Sequence, residues 1–350
     1  MAAILRVSVC ALSHHVGRAP AILLALALSS FAGQPGCASD ARPPIALTDE
    51  QFWSMSTRFS EPAGAFAHSE NLVSNEIHFA DTIRMLRSTG GAYIGVGPEQ
   101  NFSYIERLRP AIAFIIDIRP ENRNLHLMYK ALFELSADRA DFLSRLFSRQ
   151  RPSGVGADTP VRELFEKYET AGPADVLYEA NARLIRKWLL EKFPLSPDDL
   201  AWVEHAFHAF YADGPGIHYG RPRPDGSPSP SYRDLMTAAD VWGMKRSYLA
   251  TEDGFAFVKH LQEMNAIVPV VGDFAGPSAI RRAGDYSRQR GVKVSAFYAS
   301  NVEVYLNRQQ LAAFCGNLSS LPHDSRSWFI GSNGRRLLLS KLNACVPRTR

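Results

Sequence analysis

Ile112-Ala113-Phe114-Ile115-Ile116-Asp117-Ile118 is nearly all apolar, with one acid near its end. No other stretch constrains the fold as much. A half-buried strand alternates polar and apolar residues, whereas a strand without alternation is covered on both faces, as in a parallel sheet flanked by helices. The residues ahead of it fit the same unit. Ala92-Tyr93-Ile94-Gly95-Val96 is a short β-type run, Gly97-Pro98-Glu99-Gln100-Asn101 a turn, and Phe102 to Leu108 has apolar residues at helical spacing. The predicted order is strand, glycine turn, helix, strand, ending in Asp117.

Such a unit places ligands at the carboxyl ends of its strands, where glycines let the backbone approach and a helix terminus offers N–H donors. Gly95-Val96-Gly97 is a G-x-G turn without the third glycine of the dinucleotide fingerprint. Asp117 stands about 20 residues beyond Gly97, where an acid accepts hydrogen bonds from ribose hydroxyls.

From Asn122 to about Met264 the pattern is helical, with Leu125, Met128, Leu132 and Leu135 forming one stripe. It is broken by a Pro- and Gly-rich loop from Asp213 to Tyr232. Strand patterns return at Ile267–Val271, ahead of Gly272-Asp273-Phe274, and at Val292–Tyr298, ahead of Ala299-Ser300-Asn301. Trp328–Ile330 and Leu337–Leu339 are expected as closing strands. The expected fold is α/β, a Rossmann-like, mostly parallel sheet. A long helical insertion, about 121–262, separates its second and third strands and caps the carboxyl edge.

The ends carry other signals. Arg6 and Arg18 flank the apolar run Ala21–Leu28, followed by Ser29-Ser30-Phe31-Ala32, the pattern of a secretory signal over 1–32. Residues 33–47 are Pro-rich and small, a linker, and 48–350 are expected as a single domain. Gln34-Pro35-Gly36 before Cys37 argues against a lipid-attachment site. The expected location is therefore periplasmic or secreted, with membrane contact only through the signal; without export it is cytoplasmic. In an oxidising compartment Cys315 and Cys345, the two cysteines of the folded body, are expected as a disulfide.

The net charge of +4 lacks the concentrated basic face that nucleic acid requires, so the expected partner is a small molecule. His205, His208 and His218 lack a carboxylate at ligand spacing, and no metal is predicted. No G-x-S-x-G elbow is present, which gives a serine hydrolase little support.

Tyr93-Ile94-Gly95-Val96-Gly97-Pro98 resembles the first motif of class I S-adenosylmethionine-dependent methyltransferases. Asp117 resembles their ribose-holding acid, and Val271-Gly272-Asp273-Phe274 their third-strand motif. Ser60-Glu61-Pro62, Asn71 to Glu76, Gly95 to Phe102, Gly272 to Gly276 and Ser300-Asn301-Val302-Glu303 resemble, over about residues 50–350, an uncharacterised bacterial family of methyltransferase-like proteins. The resemblance implies S-adenosylmethionine as cofactor, with contacts at Gly95, Gly97, Glu99, Asn101, Asp117, Asp273 and Asn301. Pro98 and Glu99 stand where the first motif often has a small residue and another glycine. An exported methyltransferase would lack its cytoplasmic donor, so the alternative is an exported binding or interaction protein that keeps the fold without transfer. A third reading is an exported hydrolase using the strand-end acids.

Overall fold

The apolar run is a strand with both faces covered. In a computed structural model, which describes residues 43–345 except 65, 67–70, 88–89, 221, 223–225 and 333, Ile112–Asp117 (β2) is buried along its whole length. Ala92–Gly95 (β1) lies parallel to it, with Ala92 opposite Ile112. Ile267–Val271 (β3) flanks β2 in parallel, and Val294–Ser300 (β4) flanks β1. Trp328–Gly331 (β5) follows in parallel, and Gly334–Leu337 (β6) closes the far edge antiparallel to β5. The six strands lie in the order β3-β2-β1-β4-β5-β6, and 13 α-helices accompany them among the described residues. The protein is thus α/β with a mostly parallel sheet.

Pro269 in β3 shows how the first edge is protected. Proline cannot donate to a ladder and is confined to edge strands, and β3 is the edge. The helix Asp49–Arg58 lies along it, started by a capping box in which Thr48 and Gln51 satisfy each other's backbone N–H groups. Ser56 Oγ donates to the Pro269 carbonyl at 2.6 Å, and Val271 N donates to Ser60 Oγ at 2.8 Å. An edge that would invite another chain is thereby occupied from within.

Between β2 and β3 the chain forms the helices from Pro120–Leu135 to Glu252–Glu263. Pro120 opens the first of these at a position where its missing N–H costs nothing. That helix packs on β2 and β3 and is covered in turn by Arg139–Phe147, Asp175–Lys192 and Pro197–Asp213, so residues on nearly every side of it are buried. Phe102 stands edge-on to Tyr129, Phe133 and Tyr248, with centroids 5.3–5.4 Å apart, the arrangement aromatic quadrupoles favour. Leu338 and Leu339, expected in a closing strand, open the helix Leu338–Cys345 instead. Only Leu337 pairs, as the last residue of β6, and Leu338 at the start of the helix is buried.

Cys315, on the helix Arg308–Ser319, is bonded to Cys345, with Cα atoms 5.8 Å apart. Closing a loop of this length stabilises by about 3–4 kcal/mol in the chain-entropy account. Reduction is expected to lower the midpoint of urea unfolding correspondingly, and neither of these sulfurs should react with a thiol reagent in the unreduced, unfolded chain. The signal segment and Cys37 lie outside the described residues. The described residues form one compact unit. Among the described residues no helix is long and apolar enough to cross a membrane.

Candidate functional site

The carboxyl ends of β1, β2, β3 and β4 open into a cleft of about 230 Å³. Val96, Gly97 and Pro98 follow β1 into it, Asp117 ends β2 with Arg119 just beyond, and Gly272 and Asp273 follow β3. Tyr298 and Ser300 come from β4, with Asn301 directly after it. Ser74 and Asn75 close one side, and Phe66, Tyr219 and Tyr305 stand at the rim. The cleft is small, just below the roughly 300–1,000 Å³ of typical ligand pockets.

Of the seven residues implied as cofactor contacts, Gly97, Asp117, Asp273 and Asn301 line the cleft. Gly97 has φ +79°, and a Cβ there would meet no protein atom within 4 Å, so its open side faces the cleft. Gly95 serves a different purpose. A Cβ on Gly95 would stand 2.0 Å from Asn101 Oδ1 and 2.6 Å from Tyr93 Oη, so this glycine makes room for Asn101. Asn101 is fully buried behind the turn, where its Nδ2 donates to the carbonyls of Val96, Gly97 and Pro98 at 2.9, 3.1 and 2.7 Å. Its Oδ1 accepts from Tyr93 Oη at 2.9 Å. It shapes the turn from the core side and does not reach the cleft.

Glu99 is also fully buried behind the turn, with both carboxyl oxygens 3.3 Å from Ser74 N. Burial pushes its pKa up to about 8, so it carries a proton at neutral pH. His126 completes this rear support. Its Nε2 lies 2.9 Å from the Gly97 carbonyl, and burial lowers its pKa to about 4, leaving the ring neutral. A carbonyl only accepts, so Nε2 carries the hydrogen and Nδ1 is an acceptor without a protein partner.

Asp117 is where an acid was expected, but it is engaged. Its Oδ1 accepts from Arg119 Nε and backbone N, both at 3.0 Å, and its Oδ2 from Arg119 Nη2 at 3.0 Å. The two side chains are 7% and 4% exposed, a bidentate pair set into the cleft wall. A carboxylate offers about four acceptor directions. Three are used, which leaves one for a ligand hydroxyl where a ribose presents two. Asp273, on the cleft wall, accepts from Ala275 N through Oδ1 at 2.8 Å, a turn-forming bond.

Three residues that shape the site were not named as site residues from the sequence, although Glu61 and Glu76 lie in segments that stood out. Arg119 is one. Glu61 is another: its Oε1 accepts from Ser278 N and Ala279 N at 2.5 and 2.7 Å, starting the helix Ala279–Gln289, while Oε2 accepts from Asp273 N at 3.1 Å. Glu76 is the third. Its Oε2 accepts from Gln100 Nε2 at 3.2 Å and its Oε1 from the Ser300 hydroxyl. Burial raises its pKa, against the hydrogen bonds from Ser300, Tyr298 and Gln100. Asn71–Glu76, Gly95–Phe102 and Ser300–Glu303 stood out as segments, and their convergence is the signal that was present. Among the described residues no three His, Cys, Asp or Glu side chains gather as metal ligands; the His208 ring packs against Tyr178 and Tyr211.

Fold and cleft together define an α/β protein with a small cleft at the carboxyl edge of a mostly parallel sheet. Residues 71–341 match the Domain of unknown function (DUF7790), and the chain belongs to that family. No curated protein matches it.

Proposed function

We propose that the protein binds a nucleoside-type small molecule in this cleft, with S-adenosylmethionine the leading case and the acceptor of any transfer open. The carrying observation is Gly97, an open, left-handed glycine at the end of a central parallel strand, facing a cleft between strands that lead to opposite sides of the sheet. In a Rossmann-like reading of the order β3-β2-β1-β4-β5, that cleft is the topological switch point, where such sheets take nucleotides. The helices between β2 and β3 are then an insertion, and Tyr219 from its Pro-rich loop contributes to the cleft rim.

The residues fit an adenosine moiety in part. Gly97 admits close backbone approach, Asp273 has an oxygen for an exocyclic amine, and Phe66, Tyr219 and Tyr305 offer ring faces. Asp117 supplies one hydroxyl acceptor. When bound, S-adenosylmethionine supplies an electrophilic methyl group; the chain's own part is to orient the nucleoside and exclude water.

The Asp117–Arg119 pair favours a second reading, in which the fold binds a ligand without transferring a group, because the acid that would grip the ribose is largely satisfied already. Calorimetry with S-adenosylmethionine, S-adenosylhomocysteine and adenosine tests the first. Gly97→Ala is expected to weaken binding at least tenfold, about 1.4 kcal/mol, since its methyl would stand in the cleft. Wild-type protein that takes up none of the three at millimolar concentration removes the nucleoside reading. Binding untouched by Gly97→Ala places the ligand elsewhere.

A further inference from the structure

Ser300 ends β4 with φ +49°, a left-handed backbone that a non-glycine residue rarely adopts. Strain of this kind collects at functional sites. The strand's pairing with β5 shifts register between Tyr298 and Ser300, and the short 3₁₀ turn Val302–Tyr305 begins two residues on. The sharp turn leaves Ser300 on the cleft wall. Its hydroxyl donates to Glu76 Oε1, and Glu76 Oε2 is fixed by Gln100 Nε2. Gln100 is held in turn by the Ser74 hydroxyl at 2.5 Å on its Oε1 and lies 3.3 Å from the Tyr104 and Tyr298 hydroxyls through its Nε2.

The geometry points to Ser300 as a nucleophile, with Glu76 as its base and Gln100 as the residue that orients the base, acting on a small carbonyl ester held in the cleft. Nucleophile and base in hydrogen-bond reach, with the base oriented by a third group, is the general signature of covalent catalysis. The usual glycine frame is missing because Tyr298 and Val302 occupy its positions, so no elbow motif announces the turn. In the first step Ser300 Oγ bonds to the ester carbon and its proton passes to Glu76; the C–O bond then breaks and the leaving alkoxide takes that proton. In the second, Glu76 takes a proton from water as its oxygen attacks the acyl-serine, and Ser300 recovers the proton as the carboxylic acid leaves. Asn75 and Asn301, which line the same cleft, carry side-chain amides that would serve as donors to the transient oxyanion.

This inference does not depend on nucleoside binding. The test is labelling of the purified full chain with a fluorophosphonate, in which Ser300 Oγ would bond to phosphorus as fluoride leaves, with the adduct located by peptide mass spectrometry. The expected result is an adduct on Ser300 that is absent from Ser300→Ala and forms about 100-fold more slowly in Glu76→Gln. Folded wild type without an adduct on Ser300 overturns the proposal, as does equal labelling of Glu76→Gln. Circular dichroism and a thermal melt of Glu76→Gln establish that it is folded, and a heat-denatured wild-type sample reports whether labelling needs the fold. Equal labelling of that sample reports ordinary serine chemistry and also overturns the proposal. Nucleoside calorimetry on Ser300→Ala is read separately, so the two readings stand or fall apart.

Discussion

Arg119→Met, with Asp117 left in place, is expected to cost about 3–5 kcal/mol of stability. The arginine is the bidentate partner of a carboxylate buried at the end of a central strand. Removing it strands a charge that is 7% exposed, and desolvation without compensation is the expensive case. Replacing both partners, as Asp117→Leu with Arg119→Met, should restore most of the loss, because well-packed apolar pairs often equal or exceed a buried ion pair. Urea unfolding of the single and double variants measures the coupling. A single variant within about 1 kcal/mol of wild type would show the pair to be solvated, as exposed pairs are, and would free Asp117 for two ribose hydroxyls.

The second large effect is on pH dependence, through Glu99 and His126 behind the glycine turn. Glu99 is protonated in the folded protein up to about pH 8, whereas the unfolded chain loses that proton near 4.5. Its contribution is therefore full below 4.5 and is lost as pH rises toward 8. His126 has the opposite sense. Its folded pKa is about 4 against 6.5 unfolded, so its contribution is full above 6.5 and is lost as pH falls toward 4. Each site changes stability by at most about 1.4 kcal/mol per pH unit. Between 4.5 and 6.5 the two slopes cancel, and from 6.5 to 8 Glu99 acts alone, removing about 2 kcal/mol. In Glu99→Gln these two sites should instead give stability that climbs from pH 4 to 6.5 and then levels. The difference between the two proteins, followed by thermal melts across pH, should grow by on the order of 4 kcal/mol from pH 4.5 to 8. Parallel curves would mean that water reaches the Glu99 carboxyl.

The sequence carried the strands because their apolar runs have no alternation to confuse them, and it carried Gly97 and Asp117 because strand ends bounded by turns are positional signals. It could not carry what Asp117 holds. Arg119 sits two residues on, past the end of the strand, and only the fold returns its guanidinium to the acid. Gly95 was legible as a glycine that something approaches, but not that the approaching group is Asn101. Glu76 meets Ser300 across 224 positions, a pairing that no local pattern encodes. Glu99 was implied as a contact by its place in a motif, but it is buried behind the turn, where it accepts from Ser74 N, 25 positions upstream.

The strand order has a consequence for how the chain reaches this state. β1 is synthesised early, yet one of its two neighbours, β4, begins at Val294, roughly 200 residues later, and β2 waits roughly 150 residues for β3. Closing such long loops is entropically costly before any contact rewards it, and non-local strand pairing slows folding. Until then the central strands present bare ladders along their most apolar edges, the species from which aggregation starts. The helices between β2 and β3 can form locally meanwhile, so the sheet and its cleft are assembled last. The tie from Cys315 to Cys345 can form only once nearly the whole chain is present, and reducing conditions during refolding would remove it at the stage when β5 and β6 complete the sheet.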